Sequence, residues 1–309
     1  MQNLKKNLVN LLKTKLPLKY FKLLKMMYLK ASSSNLENEI KKEKLVKIGE
    51  LDLYAPSNHL VHTINIHQPF RDECLGVIAK IMSTHYPSRK VLDIGANIGD
   101  SCAQIRKFSK VEIHCIEPHD IFFNYLKQNM EVLENIGSIH QIFIGDGTYF
   151  RGTLINTSES TARFIENEFS KTIKTVKIED IGITDIGLIK IDTDGYDFPI
   201  ILSSLQYLSS NTPLVFFENE IRNSNTEANS NEVIDALYEI VYRYWIIFDD
   251  PGYFLLSAST KESLYDLNRY LRKTWENDEN KRIYNYDILA IPENDKIIFD
   301  QIREYYLLN

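Results

Sequence analysis

From about residue 88 the chain alternates short β-branched runs with stretches of helical length, and this alternation constrains the fold more than any other feature. Strands are expected at 90–94, 111–117, 138–144, 187–192, 213–218, 244–248 and 286–291. Helices are expected at 98–108, 120–129, 198–208, 231–242 and 261–275. Strands and helices of these lengths in alternation form βαβ units, hence a mostly parallel, Rossmann-like α/β sheet with helices on both faces. The late helix followed by a strand suits an antiparallel last strand, in a final pair at one sheet edge.

Composition agrees with a globular body. Hydrophobic residues make up 44% and charged residues 25% of the chain, which excludes global disorder, collagen and coiled coil. No stretch approaches 18 uncharged apolar residues, so no transmembrane helix is expected. Cys74, Cys102 and Cys115 are odd in number and lack metal-ligand spacing. A chain this long needs no disulfide staples, so a reducing compartment and a cytoplasmic location are expected.

Charge divides the chain unevenly. Residues 1–36 hold eight Lys and no acid, leaving 28 basic against 42 acidic side chains in the rest. A body this acidic is a poor nucleic-acid binder, because phosphate contacts supply most of such affinity. Residues 1–36 read as a basic amphipathic arm with Leu4, Leu8, Leu11, Leu12 and Leu16 at helical spacing. Either the arm packs on the body, or residues 1–30 dock peripherally on an anionic inner membrane surface. Residues 37–88 follow as linker and cap over the substrate entry, and they carry His59, His62, His67 and Arg71 as candidate acceptor contacts. The main domain is placed at 89–309, with a homo-oligomer left open.

The first strand of that domain ends in Asp93-Ile94-Gly95-Ala96-Asn97-Ile98-Gly99, and a helix begins at once. The glycines permit a tight turn and close approach of a ligand at the carboxyl end of the sheet, where such folds bind ligands. The spacing differs from the G-x-G-x-x-G of dinucleotide binders, and the carboxylate of Asp93 suits a cationic ligand better than a pyrophosphate. Glu117-Pro118 ends the next strand, 24 residues beyond Asp93, where an acid can accept both ribose hydroxyls. An adenosine-bearing ligand with an ammonium group satisfies both acids, and S-adenosylmethionine is one. Ile144, Gly145 and Asp146 end the third strand, where Ile144 is expected on the adenine face and Asp146 on its exocyclic amine.

These runs resemble class I S-adenosylmethionine-dependent methyltransferases and, more narrowly, the FkbM family of methyltransferases. The narrower resemblance adds Val176-Lys-Ile-Glu-Asp-Ile181, Ile189-Lys-Ile-Asp-Thr-Asp-Gly-Tyr-Asp-Phe198, Phe216-Phe-Glu218 and Tyr286-Asp-Ile-Leu-Ala-Ile-Pro292. Glu179 stands where the family usually has Asp, which weakens a role for that acid. The resemblance covers roughly residues 88–292. It implies O-methyl transfer, often to sugars or other hydroxylated small molecules of surface-polysaccharide or secondary-metabolite pathways, and leaves the acceptor open.

Asp192, Asp194 and Asp197 crowd the end of the fourth strand, where Asp192 is also expected to support the methyl donor. Asp194, then Asp192, with Glu218 behind them, are the candidates for a general base that takes the acceptor hydroxyl's proton. Alternatively two of these acids bind a divalent cation such as Mg, although no Cys/His set accompanies them and no metal ligand is assigned. In the blander reading Asp197 simply caps the following helix. Glu220 is as well explained as a solvated strand end, and Cys102 as a small core residue. Two rival functions stay open: a non-catalytic cofactor-binding scaffold and an NAD(P)-dependent oxidoreductase.

Overall fold

The computed structural model describes residues 43–68, 70–156, 160, 162–166, 172–277, 283 and 285–308. The basic arm lies outside the described residues. Among the described residues, no helix is long and apolar enough to cross a membrane.

A hairpin of β1 (Glu43–Ile48) and β2 (Leu51–Pro56) leads to a short helix α1 (Val61–His67) and a longer α2 (Glu73–His85). The alternation then begins with β3 (Lys90–Ile94), α3 (Asp100–Arg106), β4 (Ile113–Ile116), α4 (Asp120–Leu133) and β5 (Ile136–His140). Four short strands interrupt it: β6 (Phe143–Ile144), β7 (Tyr149–Asn156), β8 (Ala162–Glu166) and β9 (Thr172–Val176). It resumes with β10 (Ile186–Ile191), α5 (Asp197–Ser203), α6 (Leu205–Asn211), β11 (Leu214–Asn219), α7 (Ser224–Ile240) and β12 (Tyr242–Asp249). The chain closes with β13 (Phe254–Ala258), α8 (Glu262–Asn277), β14 (Tyr286–Pro292) and α9 (Lys296–Leu308).

Eight strands form the main sheet in the order β13-β12-β14-β11-β10-β3-β4-β5. β10, β11, β3, β4 and β5 run parallel, and β14 runs antiparallel to both β11 and β12. The expected strands at 244–248 and 286–291 therefore do form an antiparallel pair, β12 with β14, toward one side of the sheet. β14 is wedged between β11 and β12, and the edge is β13. The reason is apolarity: Ile288, Leu289, Ala290 and Ile291 are all fully buried, and a strand apolar on both faces needs neighbours and helices on every side.

Two cores flank the sheet. One packs Leu75, Ile78 and Met82 of α2, Cys102 and Ile105 of α3, Leu126 of α4 and Ile298 of α9 against one face. The other packs Ile200 and Ile201 of α5, Leu208 of α6, Val233 and Leu237 of α7 and Leu264 of α8 against the opposite face. The stretch 138–144 is not one strand. β5 ends in the main sheet, and β6 starts a separate four-stranded sheet in the order β6-β9-β7-β8. The helix expected at 198–208 is likewise two, α5 and α6, broken at Ser204.

Candidate active site

Alternation along the strands decides which chemistry meets. In β3, β10, β11 and β14 the residues Val91, Leu188, Phe216 and Leu289 face the core under α2 and α3. Two residues along each strand, on that same face, stand Asp93, Lys190, Glu218 and Asp287. Register holds this row together: Asp93 pairs with Lys190 across β3 and β10, and Glu218 with Asp287 across β11 and β14. The apolar core thus ends in a band of charge at the carboxyl end of the sheet.

Lys190 organises the band and was not anticipated from the sequence, although one Lys inside an otherwise apolar buried strand is a legible signal. Its Nζ lies 3.2 Å from Asp93 Oδ1 and 3.5 Å from Asp192 Oδ2, and donates to the Gly95 carbonyl at 3.1 Å. Burial opposes the Lys190 charge, but Asp93, Asp192, Asp100 and Asp72 outweigh it and hold its pKa well above the ordinary value. Asp93 is fully buried, accepts from Ser101 Oγ, and lines neither of the two large cavities at this end of the sheet. Its position on the α3 face of the strand turns it inward.

The glycine turn packs hard against β10. Gly95 has φ +83°, and a Cβ there would sit 1.8 Å from the Asp192 carbonyl oxygen. The amides of Gly95 and Ala96 both donate to the Ile116 carbonyl, at 2.9 and 3.0 Å, and so are spent inside the fold. Gly99 packs on Leu126 and Leu133. The Asn97 amide donates to Glu117 Oε2 at 2.9 Å, and its side chain donates to the Ser160 carbonyl at 2.8 Å.

A first cavity, of about 700 Å³, opens beside this turn. Of the expected donor contacts, Gly95, Asn97, Glu117, Pro118, Ile144 and Asp192 line it. Glu117 is buried and also accepts from the His119 amide at 2.7 Å. Burial pushes its carboxyl up to about 7, against the pull of those two amides. The small sheet closes the far side. Phe143 of β6 meets Phe150 of β7 edge-on at 5.9 Å, and Phe150 meets Tyr196 at 6.4 Å. Gly145 and Asp146 stand outside this lining. Asp146 turns its carboxylate to Thr148, accepting from its amide at 2.9 Å and its hydroxyl at 2.6 Å. The aromatic wall, with His119 and Phe122, was not read from the sequence, because the segment that builds it breaks the β/α alternation.

A second, larger cavity of about 1370 Å³ shares Gly95, Asn97, Asp192 and Asp194 with the first. His59, Arg71 and Glu218 line it as expected; His62 and His67 do not, and His62 Nε2 lies 2.9 Å from the Pro56 carbonyl. Burial takes His59 down to about 4, so its ring is neutral at pH 7. Burial and the charges of Asp192, Asp197 and Asp287 hold Glu218 well above the carboxylate range. Asp72, Asp250 and Asp287 join this lining unannounced, since they come from loops and a strand end far apart in sequence, and Asp100 joins it from the first turn of α3.

Asp194 sits at the junction, with a left-handed φ of +53°. It lines both cavities and a third that opens toward Glu220 and Arg222. Asp197 does not cap α5. It is the first residue of that helix, buried, and its Oδ2 accepts from Thr193 Oγ1 at 3.2 Å and the Gly195 amide at 3.3 Å, tying down the turn before it. Burial first, then the Asp192 charge, raise its pKa to about 8. Among the described residues, no three His, Cys, Asp or Glu side chains stand close enough to hold a metal ion.

The parallel sheet with one antiparallel strand inserted beside its end, and a cavity over the carboxyl ends of β3 and β4, are those of a Rossmann-like methyltransferase. Residues 93–244 match the methyltransferase FkbM domain, the family that the sequence motifs resemble. A search of curated proteins finds no match. Among solved structures, the FkbM methyltransferase of Methylobacillus flagellatus KT aligns at 14% identity and a TM-score of 0.37, over 65% of this chain and 43% of that protein. This chain therefore spans less than half the length of that relative. A precorrin-6y C5,15-methyltransferase of Geobacter metallireducens GS-15 aligns at 12% identity and 0.33, over 67% and 80% of the two chains. A Bacillus cereus O-methyltransferase in complex with SAH aligns at 11% and 0.35, over 71% and 80%.

Proposed function

We propose that the protein is an S-adenosylmethionine-dependent O-methyltransferase acting on a hydroxylated small molecule, a sugar or glycoconjugate. The observation that carries the reading is the junction at Asp192 and Asp194, where an aromatic-walled cavity holding Glu117 opens into a polar one. The first cavity fits the methyl donor. Ile144, Phe143 and Phe150 offer an apolar slot for adenine, and each Glu117 oxygen keeps a lone pair for the ribose diol after accepting its backbone amide.

Bound S-adenosylmethionine supplies a methyl group already activated on a sulfonium. The protein then has to align the acceptor oxygen and remove its proton, and alignment alone is worth ~7–11 kcal/mol in favourable cases. Asp194 is the proposed base: it lines both cavities, and its left-handed backbone holds the side chain where they meet. Its carboxylate takes the hydroxyl proton as the methyl carbon–oxygen bond forms and the methyl–sulfur bond breaks, so the ether leaves uncharged beside a neutral thioether. Asp192, braced by Lys190, shapes the same junction, and Glu218 lies on the acceptor side. Incubation with methyl-labelled donor and fractionated surface glycans tests this reading. Label in an alkali-stable ether supports it, and donor binding without transfer to any fraction favours a scaffold.

A further inference from the structure

The acceptor cavity carries more acid than its own cations answer. Seven carboxylates line it beside two permanent cations, Arg71 and Lys190. Both cations are already engaged. Arg71 holds Asp250 with two hydrogen bonds, at 2.8 and 3.1 Å, and Lys190 is shared between Asp93 and Asp192. Asp72, Asp100, Glu218 and Asp287 have no ion-pair partner among the described residues. None of these four lines the donor cavity.

A second observation is independent of charge. Gln104 is 4% exposed, lines the same cavity, and its Oε1 has no hydrogen-bond partner among the described residues. A buried amide oxygen left without a donor is costly, and its complement is an N–H or O–H. A fitting ligand is therefore rich in donors.

Cross-strand geometry names the place. Glu218 and Asp287 are register partners on β11 and β14, on the same face, with Asp72 lining the same cavity. Directly opposed side chains in such a pair stand roughly 4.5–5.5 Å apart at Cβ, close enough to share one ammonium. We propose that the acceptor bears a protonated amine beside the hydroxyl to be methylated, as in an amino sugar, and that Glu218, Asp287 and Asp72 hold that ammonium. The inference rests on the methyl-transfer reading and narrows its substrate class. Burial and neighbouring acids disfavour the charged form of all three carboxyls, and an incoming ammonium offsets that cost.

The test is titration calorimetry at pH 7 on the full chain, first with S-adenosylhomocysteine alone. Absence of that binding removes the methyltransferase reading itself. The loaded protein is then titrated with the methyl glycosides of glucosamine, glucose and glucuronic acid. The expected result is at least tenfold tighter binding of the glucosaminide than the glucoside, and no detectable glucuronide binding. Asp287→Asn, or Asp72→Asn should the first variant not fold, should bring the two neutral-pH preferences within threefold while S-adenosylhomocysteine affinity holds. Equal binding of glucosaminide and glucoside overturns the proposal. So does preference for the glucuronide, or no glucosaminide binding by protein that does bind S-adenosylhomocysteine.

Discussion

The Lys190 ammonium stands 3.2 Å from the Asp93 carboxylate, each side chain almost wholly buried, on neighbouring parallel strands at the carboxyl end of the sheet. Asp93 begins the glycine turn and Lys190 precedes the acidic loop by two residues, so this contact fixes the two halves of the junction against each other. Removing the cation leaves a buried carboxylate to the Ser101 hydroxyl and the Cys102 thiol. Lys190→Met should cost about 3–5 kcal/mol, the usual penalty for breaking a buried pair. Asp93→Asn in the same chain should recover part of that loss. Urea midpoints of the three variants at pH 7 check both statements.

Gly95 is the tightest point of the donor turn. Gly95→Ala forces a Cβ to 1.8 Å from the Asp192 carbonyl oxygen, at a φ of +83°. Strain and overpacking together should destabilise the protein by about 2–5 kcal/mol. Thermal unfolding and donor-product binding are read on the same sample. A variant with wild-type stability would mean that the turn and β10 are not in contact.

Glu117 makes donor binding depend on pH. The diol needs an acceptor carboxylate, and the free protein's Glu117 loses its proton only near pH 7. S-adenosylhomocysteine affinity should therefore fall roughly tenfold per pH unit below 7, and level off above it. Stability moves in the opposite sense. Between the unfolded value of about 4.5 and the folded value of about 7 the native state binds the extra proton, so this group's contribution is lost as pH rises through that window. Glu117→Gln should abolish the affinity slope and remove this group's share of the stability slope, which titrations and urea midpoints from pH 5 to 8 will show.

Asp194→Asn should preserve shape and donor binding while lowering turnover about 10²–10⁴-fold, the usual contribution of a general base. Asp192→Asn should act less on proton removal and more on donor affinity, since Asp192 is also a Lys190 partner. Activity of the wild type should be indifferent to EDTA. Abolition by chelation and rescue by Mg would assign the proton's loss to a cation instead.

Much of this was legible in the sequence because it rests on alternation. β3 falls at 90–94 as its pattern indicates, β10 and β11 are each shifted by one residue, and β14 runs one residue further than expected. The turn and Glu117 follow from residue types at strand ends. What escaped has two physical origins. The small sheet of β6 to β9 is short and interrupts the β/α rhythm, so the aromatic wall of the donor cavity gave no periodic signal. The acidic cavity is assembled from Asp72, Asp250 and Asp287, which meet only through tertiary packing and β14's insertion between β11 and β12. Asp93 shows the converse limit: type and position marked it as ligand-facing, but strand parity turns it toward α3.

Binding of S-adenosylhomocysteine and of NAD, measured in parallel by calorimetry on wild type and Glu117→Ala, tests the central claim most directly. The account predicts micromolar S-adenosylhomocysteine affinity, at least tenfold weaker in the variant for the two charge-assisted bonds lost, and no heat with NAD. NAD binding without S-adenosylhomocysteine binding, or equal affinities in wild type and variant, would contradict it.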